Sequence, residues 1–130
     1  MNIVADYPPN IEKIRKAFPI KDNTVFTYGD TIYAPKVRFQ LPIDLVTHEQ
    51  THSMQQGNDP EAWWDHYISD KQFRFDQELE AYRNQYRHFC RIRKGRNERF
   101  NFLKMIAMDL ASPLYGNMVG FFEATALIKS

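Results

Sequence analysis

Pro42-Ile43-Asp44-Leu45-Val46-Thr47-His48-Glu49-Gln50-Thr51-His52-Ser53-Met54-Gln55-Gln56-Gly57 is the stretch on which the reading of this chain turns. Proline suits the first turn of a helix, where its missing N–H has no intrahelical partner anyway, and glycine suits the far end as a stop. A helix is therefore predicted from Pro42 to about Gln56. Residues i and i+4 stand one turn apart on the same helical face, so His48 and His52 project together with Glu49 beside them. On a wheel of 100° per residue, Leu45, His48, Glu49 and His52 share one side. Ile43 and Met54 lie on the other, where they are expected to anchor the helix.

Outward from this stretch the periodicity changes. Upstream, Asn10 is placed to cap a short helix in which Ile11, Ile14 and Phe18 recur at helical spacing and which Pro19 stops. Thr24 to Tyr28 and Thr31 to Tyr33 are rich in β-branched and aromatic residues and flank Gly29-Asp30, a two-residue hairpin turn. Pro35 ends the second run. Lys36 to Gln40, with Val37 and Phe39 on one face, is expected to add a third strand. Downstream, Asp59-Pro60 starts a helix over Glu61 to Ile68, where one of Trp63 and Trp64 is expected to pack inward and the other to cover surface. A long helix is predicted from about Lys71 to Lys94, closed by Gly95. Two apolar segments follow, Phe100 to Leu110 and Asn117 to Ile128. Helix, small three-stranded sheet, then helices is the pattern of an α+β domain.

The 130 residues, 43% hydrophobic and 15% aromatic, are enough for one core and too few for two, which sets residues 1–130 as a single domain. A formal charge of +1 favours neither a nucleic-acid binder nor an acidic tail. One cysteine, Cys90, cannot form an internal disulfide. Met1 to Asn10 lacks the basic start and apolar run of a signal peptide. Met118 to Ile128 is too short, and with Glu123 too polar, for a membrane span. A soluble, cytoplasmic protein is expected.

The His48-Glu49-Gln50-Thr51-His52 segment is an HExxH pattern. Two imidazoles one turn apart can reach one Zn²⁺ at roughly 2.0–2.1 Å while the glutamate lies beside a water on the metal. Zinc lowers that water's pKa toward roughly 7, and Glu49 is placed to take its proton as it attacks a carbonyl. A catalytic zinc needs a third protein ligand and an open position. No third histidine follows at the short, glycine-containing spacing of one HExxH class. Glu78 and Glu80 are the nearby carboxylates. Phe75, Leu79, Tyr82, Tyr86 and Phe89 define a buried stripe on the long helix. Glu78 borders that stripe and Glu80 points nearly opposite. A glutamate at an apolar border is costly unless paired or bound to metal, so Glu78 is the predicted third ligand; pairing with Arg74 or another cation is the competing explanation.

His48-Glu49-Gln50-Thr51-His52 followed by Glu78-Leu79-Glu80-Ala81-Tyr82 resembles a gluzincin, the HExxH zinc peptidases with a glutamate ligand on a later helix. The element order resembles the compact SprT-like and IrrE-like members, whose third-ligand helix carries a Glu-x-x-Ala pattern matched here by Glu78 and Ala81. The resemblance covers about residues 10 to 90. It implies a zincin core over about 10–95, with 96–130 as a C-terminal helical pair matching no known pattern. It also implies hydrolysis of a peptide or protein substrate, and an edge strand for substrate pairing, to which Lys36 to Gln40 is nearest. The chain also resembles small phage-encoded peptidases in general character, without a motif, which would place it in the host cytoplasm.

An oxyanion-stabilising donor in this class is usually tyrosine or histidine. Tyr82, Tyr115, His66 and His88 are the candidates, and Tyr115 is favoured because a turn between helices can face a cleft. Asp44, one turn before His48, is placed to accept a hydrogen bond from a ligand imidazole. Arg83 to Lys104 holds eight Lys or Arg against one acid, Glu98, a bias that can contact nucleic-acid phosphates but more commonly marks a solvated face. The alternative function is a non-catalytic, zinc-stabilised interaction or regulatory domain.

Overall fold

The computed structural model describes residues 1–36 and 40–130. The fold is α+β, with six helices and a three-stranded sheet among the described residues. Strands β2 (Phe26–Tyr28) and β3 (Thr31–Tyr33) form the expected hairpin, and its turn uses Gly29 at φ 63°, a left-handed value that favours glycine. The third strand among the described residues is one that the sequence reading did not indicate. It is β1, Asn2–Val4, which lies parallel to β3 with Ile3 opposite Ile32, giving the order β1-β3-β2. The strand predicted over Lys36 to Gln40 spans residues 37–39, outside the described residues.

Helix α1 runs over Ile11–Ala17, and its Ile14 is buried. Asn10 precedes it but does not cap it with its side chain. The backbone carbonyl of Asn10 takes the N–H groups of Lys13 and Ile14 instead. Helix α2, Ile43–Gln56, ends at Gly57 with φ 57°, as the flanking proline and glycine predict. In α3, Pro60–Ser69, the Asp59 carboxylate accepts from Ala62 N at 3.0 Å. Both tryptophans of α3 are buried, where only one was expected to be, because α1, β2 and α3 close a small core of Ile14, Phe26, Trp63, Trp64 and Tyr67.

Helix α4, Lys71–Ile92, is capped by Asp70, whose Oδ1 accepts from Gln72 N and Phe73 N. Gly95 precedes α5, Arg96–Leu110, so the break falls slightly earlier than expected and α5 starts four residues sooner. A short 3₁₀ turn, Pro113–Tyr115, leads to α6, Phe121–Lys129. The apolar stripe of α4 packs against α5 and α6 in the main core cluster, around Phe75, Tyr82, Ile106, Leu110 and Ile128. The other face of α4 lies against α2. Among the described residues no helix is long and apolar enough to cross a membrane.

Candidate metal centre

Helix α2 is inverted relative to ordinary amphipathic logic. Its buried residues are His48, Glu49, Thr51, His52 and Gln56, all polar. Ile43 and Met54, expected as anchors, are 60% and 83% exposed. A helix buries a polar face only when other groups satisfy it. Here the hairpin and α4 do so. Gln56 Nε2 donates to Thr27 O at 2.8 Å, Gly29 N donates to Gln56 Oε1 at 2.7 Å, and Ser53 Oγ donates to Gly29 O at 2.6 Å. Asn84 of α4 donates to Thr51 Oγ1 at 3.1 Å. The helix is thereby clipped to the hairpin tip and to α4, with its histidines between.

His48, His52 and Glu78 come together as the motif predicts, all buried. His48 Nε2 lies 3.1 Å from Glu78 Oε1, His52 Nε2 lies 3.3 Å from the same oxygen, and the two Nε2 atoms are 3.2 Å apart. The tautomers follow from the amides behind the rings. Gln85 Nε2 donates to Asp44 Oδ2 at 3.0 Å, so its Oε1 is the atom that faces His48 Nδ1 at 2.9 Å. Gln55 Nε2 donates to Gln77 O and Glu80 Oε1, so its Oε1 faces His52 Nδ1 at 2.8 Å. An amide oxygen only accepts. Both Nδ1 atoms therefore carry hydrogen, and both Nε2 lone pairs point toward Glu78 Oε1. Three mutually facing acceptors repel unless a cation sits among them. A metal ion suits the arrangement, and the group could hold one.

Without metal, protons fill the same need. Burial alone lowers the basicity of the His52 imidazole, but the charge and hydrogen bond of Glu78 outweigh it and lift its pKa to about 9. Burial likewise opposes ionisation of Glu78, yet the His52 charge and the hydrogen bonds from both histidines hold its carboxyl well below the usual range. Of the cations that could pair with Glu78, Arg74 does not; in the metal-free chain the His52 imidazole is the one that faces it. The Arg74 guanidinium instead donates to the carbonyls of Tyr67, Ile68 and Leu114. Glu80 is exposed, as the wheel predicts.

Glu49 stands beside this triangle, with Oε2 3.9 Å from His48 Nε2. Its Oε1 accepts from Thr27 Oγ1 at 2.9 Å, and Thr27 also reaches the Glu49 carbonyl at 3.2 Å. Burial raises the Glu49 carboxyl above its ordinary value, against the lowering influence of the two histidines. Thr27→Val keeps the side-chain shape and removes the donor to a buried carboxylate. It is expected to destabilise the fold by about 1.5–3 kcal/mol, read as a shift of the urea midpoint at unchanged slope.

Several candidate residues find other places. Asp44 acts on His48 through Gln85, not directly. The Tyr82 ring packs edge-on against His48 at 4.6 Å between centroids, and Tyr115 packs against Tyr82 at 6.3 Å, in the main core. His66 is exposed, stacked on Phe73, with Nε2 3.2 Å from Asp70 Oδ2. His88 is half-buried on α4, its Nδ1 without a partner among the described residues. Thr27, Gln55, Gln85 and Tyr67 are partners of the site that the motif does not announce, since each lies outside the HExxH pattern. A surface hollow of about 370 Å³, lined by Asp76, Leu79, Glu80, Arg83, Asn84 and Arg87, includes none of the three ligands. Gln85→Leu removes the acceptor behind His48 and is expected to weaken metal binding by about 10- to 100-fold in competition with a chromophoric chelator.

Comparison with known protein families, with curated proteins and with solved structures gives no match.

Proposed function

We propose that this chain is a zinc-dependent metallopeptidase of the gluzincin type, with His48, His52 and Glu78 as ligands and Glu49 as general base. The observation that carries the proposal is the spacing of the donor atoms, 3.1, 3.2 and 3.3 Å. Ligands of a tetrahedral zinc with bonds of roughly 2.0–2.1 Å stand about 3.3 Å apart, so the triangle fits one face of such a site. Two imidazoles and one carboxylate also match catalytic zinc, whereas structural sites are usually closed and cysteine-rich.

Zinc bound there lowers the pKa of a water toward roughly 7 and polarises a carbonyl oxygen. The protein's own part is orientation and proton transfer. Gln85 and Gln55 fix the rings so that the lone pairs face inward. Thr27 holds one oxygen of Glu49, leaving Oε2 turned toward the histidines to accept a proton. Burial raises the basicity of the Glu49 carboxylate, the direction that suits a general base. The substrate class proposed is a peptide or protein. Tyr115, expected as the oxyanion donor, packs behind Tyr82 in the main core, and no contact among the described residues brings it to the three ligands, so no oxyanion donor is assigned.

A second reading, a non-catalytic zinc module joining α2 to α4, draws support from the enclosure of the site: His48, Glu49, His52 and Glu78 are only 4–6% exposed. Digestion of a random peptide library separates the two. Zinc-loaded protein is expected to cleave, chelation to stop cleavage, and fresh zinc to restore it. Absence of cleavage across the library, with zinc bound, favours the module. Arg91, Arg93, Lys94 and Arg96 are exposed around the α4–α5 turn. Nucleic-acid contact through them is an accessory proposal, tested by the salt dependence of duplex DNA binding.

A further inference from the structure

Glu78 divides its two oxygens between different tasks. Oε1 faces both histidines, while Oε2 accepts from the Tyr67 hydroxyl at 2.6 Å. Tyr67 has little freedom to let go. Its ring stacks on Trp63 with centroids 4.9 Å apart and meets Trp64 edge-on at 5.2 Å. Phe18 closes a third side at 6.0 Å. The Tyr67 backbone carbonyl accepts from Arg74 Nε at 2.8 Å, and the same guanidinium holds Ile68 O and Leu114 O. The phenol is buried, so a hydroxyl without a partner there is costly. A carboxylate ligand can bind a metal through one oxygen or two. Binding through two would add a protein donor and crowd the position a substrate or water must use.

We propose that Tyr67 is a positioning residue that holds Glu78 to one-oxygen ligation and so keeps a coordination position of the metal free. This rests on the metal reading above and adds to it the means by which the site stays open. The hydrogen bond occupies Oε2, and the packed aromatic ring keeps that oxygen turned away from the histidines. Removing only the hydroxyl leaves Oε2 buried without that donor, and a metal held by Oε1 would be free to take Oε2 as a second donor.

The test uses the full chain loaded with cobalt(II) or zinc, with no activity assay. Cobalt d–d bands are intense with four ligands and weaken with five. Wild-type protein is expected to give the intense spectrum, Tyr67→Phe the weakened one, and Tyr28→Phe, whose hydroxyl donates to Glu61 at 2.9 Å, the wild-type spectrum. Zinc-edge X-ray absorption of the wild type provides a measurement independent of any substitution: four nitrogen or oxygen neighbours at about 2.0–2.1 Å are expected. A Tyr67→Phe spectrum identical to wild type, an equal loss in Tyr28→Phe, or two carboxylate oxygens at the wild-type zinc overturns the inference. Failure of the wild type to take up either metal overturns the metal reading itself, and the role of Tyr67 falls with it. If Tyr67→Phe does not fold, the wild-type X-ray result still decides.

Discussion

Glu49→Gln is expected to lower peptide hydrolysis by about 100- to 10,000-fold while leaving zinc content unchanged, the range contributed by a positioned general base. Glutamine keeps the shape of the side chain and the oxygen that accepts from Thr27, so the clip between α2 and β2 survives. The same substitution is expected to stabilise the metal-free protein at neutral pH. The Glu49 carboxyl is raised by burial, so the folded state holds its proton more tightly than the unfolded one. The resulting penalty is absent below the ordinary carboxylate range, and it grows as pH rises until the buried group ionises. Wild type should therefore lose stability relative to Glu49→Gln as pH rises from about 4 toward neutrality. Thermal melts of the two metal-free proteins across that range measure it. Lost activity with gained stability is the mark of a residue kept for chemistry. Equal loss of both would make Glu49 a structural residue.

The second large effect concerns residues 96–130. A lid that makes the centre latent, one role conceivable for this helical pair, has to leave its domain standing when removed. Of the ten buried residues in the main core cluster, Phe75 and Tyr82 come from α4 and the other eight from α5, α6 and the turn between them. Full burial of a large apolar side chain contributes about 1.5–3 kcal/mol. A whole domain is stable by only about 5–15 kcal/mol. A chain ending at residue 95 is therefore expected to be unfolded and unable to bind zinc with native affinity. Loss of Leu114 O also removes a partner of Arg74, whose guanidinium braces the carbonyl of Tyr67. Circular dichroism and zinc titration of the truncated chain check this, and a folded, metal-binding or more active product would contradict it.

What the sequence made legible is what local chemistry determines. Pro42 and Gly57 bound α2 because each restricts the backbone where it stands. Glu78 was separable from Glu80 because the apolar stripe of α4 sets which glutamate is buried. The strand Asn2–Val4 gave no signal. It is three residues long, exposed throughout, and paired with a segment far along the chain. Ile43 and Met54 misled for a different reason. An apolar residue goes inside only if its face of the helix does, and on α2 the polar set of His48, Glu49, Thr51, His52 and Gln56 claims the interior. Thr27 and Tyr67 were missed because their roles exist only across elements, between β2 and α2 and between α3 and α4. Gln85 followed the same rule: Asp44 was read as a direct partner of His48, and an amide from another helix stands between them.

The measurement that tests the central claim most directly is metal content of the purified chain by elemental mass spectrometry after equilibration with zinc and desalting, with His48→Ala and Glu78→Ala alongside. About one zinc per wild-type chain is expected, lost in His48→Ala and strongly reduced in Glu78→Ala. A wild-type chain that is folded and retains no zinc at neutral pH would contradict the account, leaving His48, His52 and Glu78 as a buried, proton-linked cluster with no metal to serve.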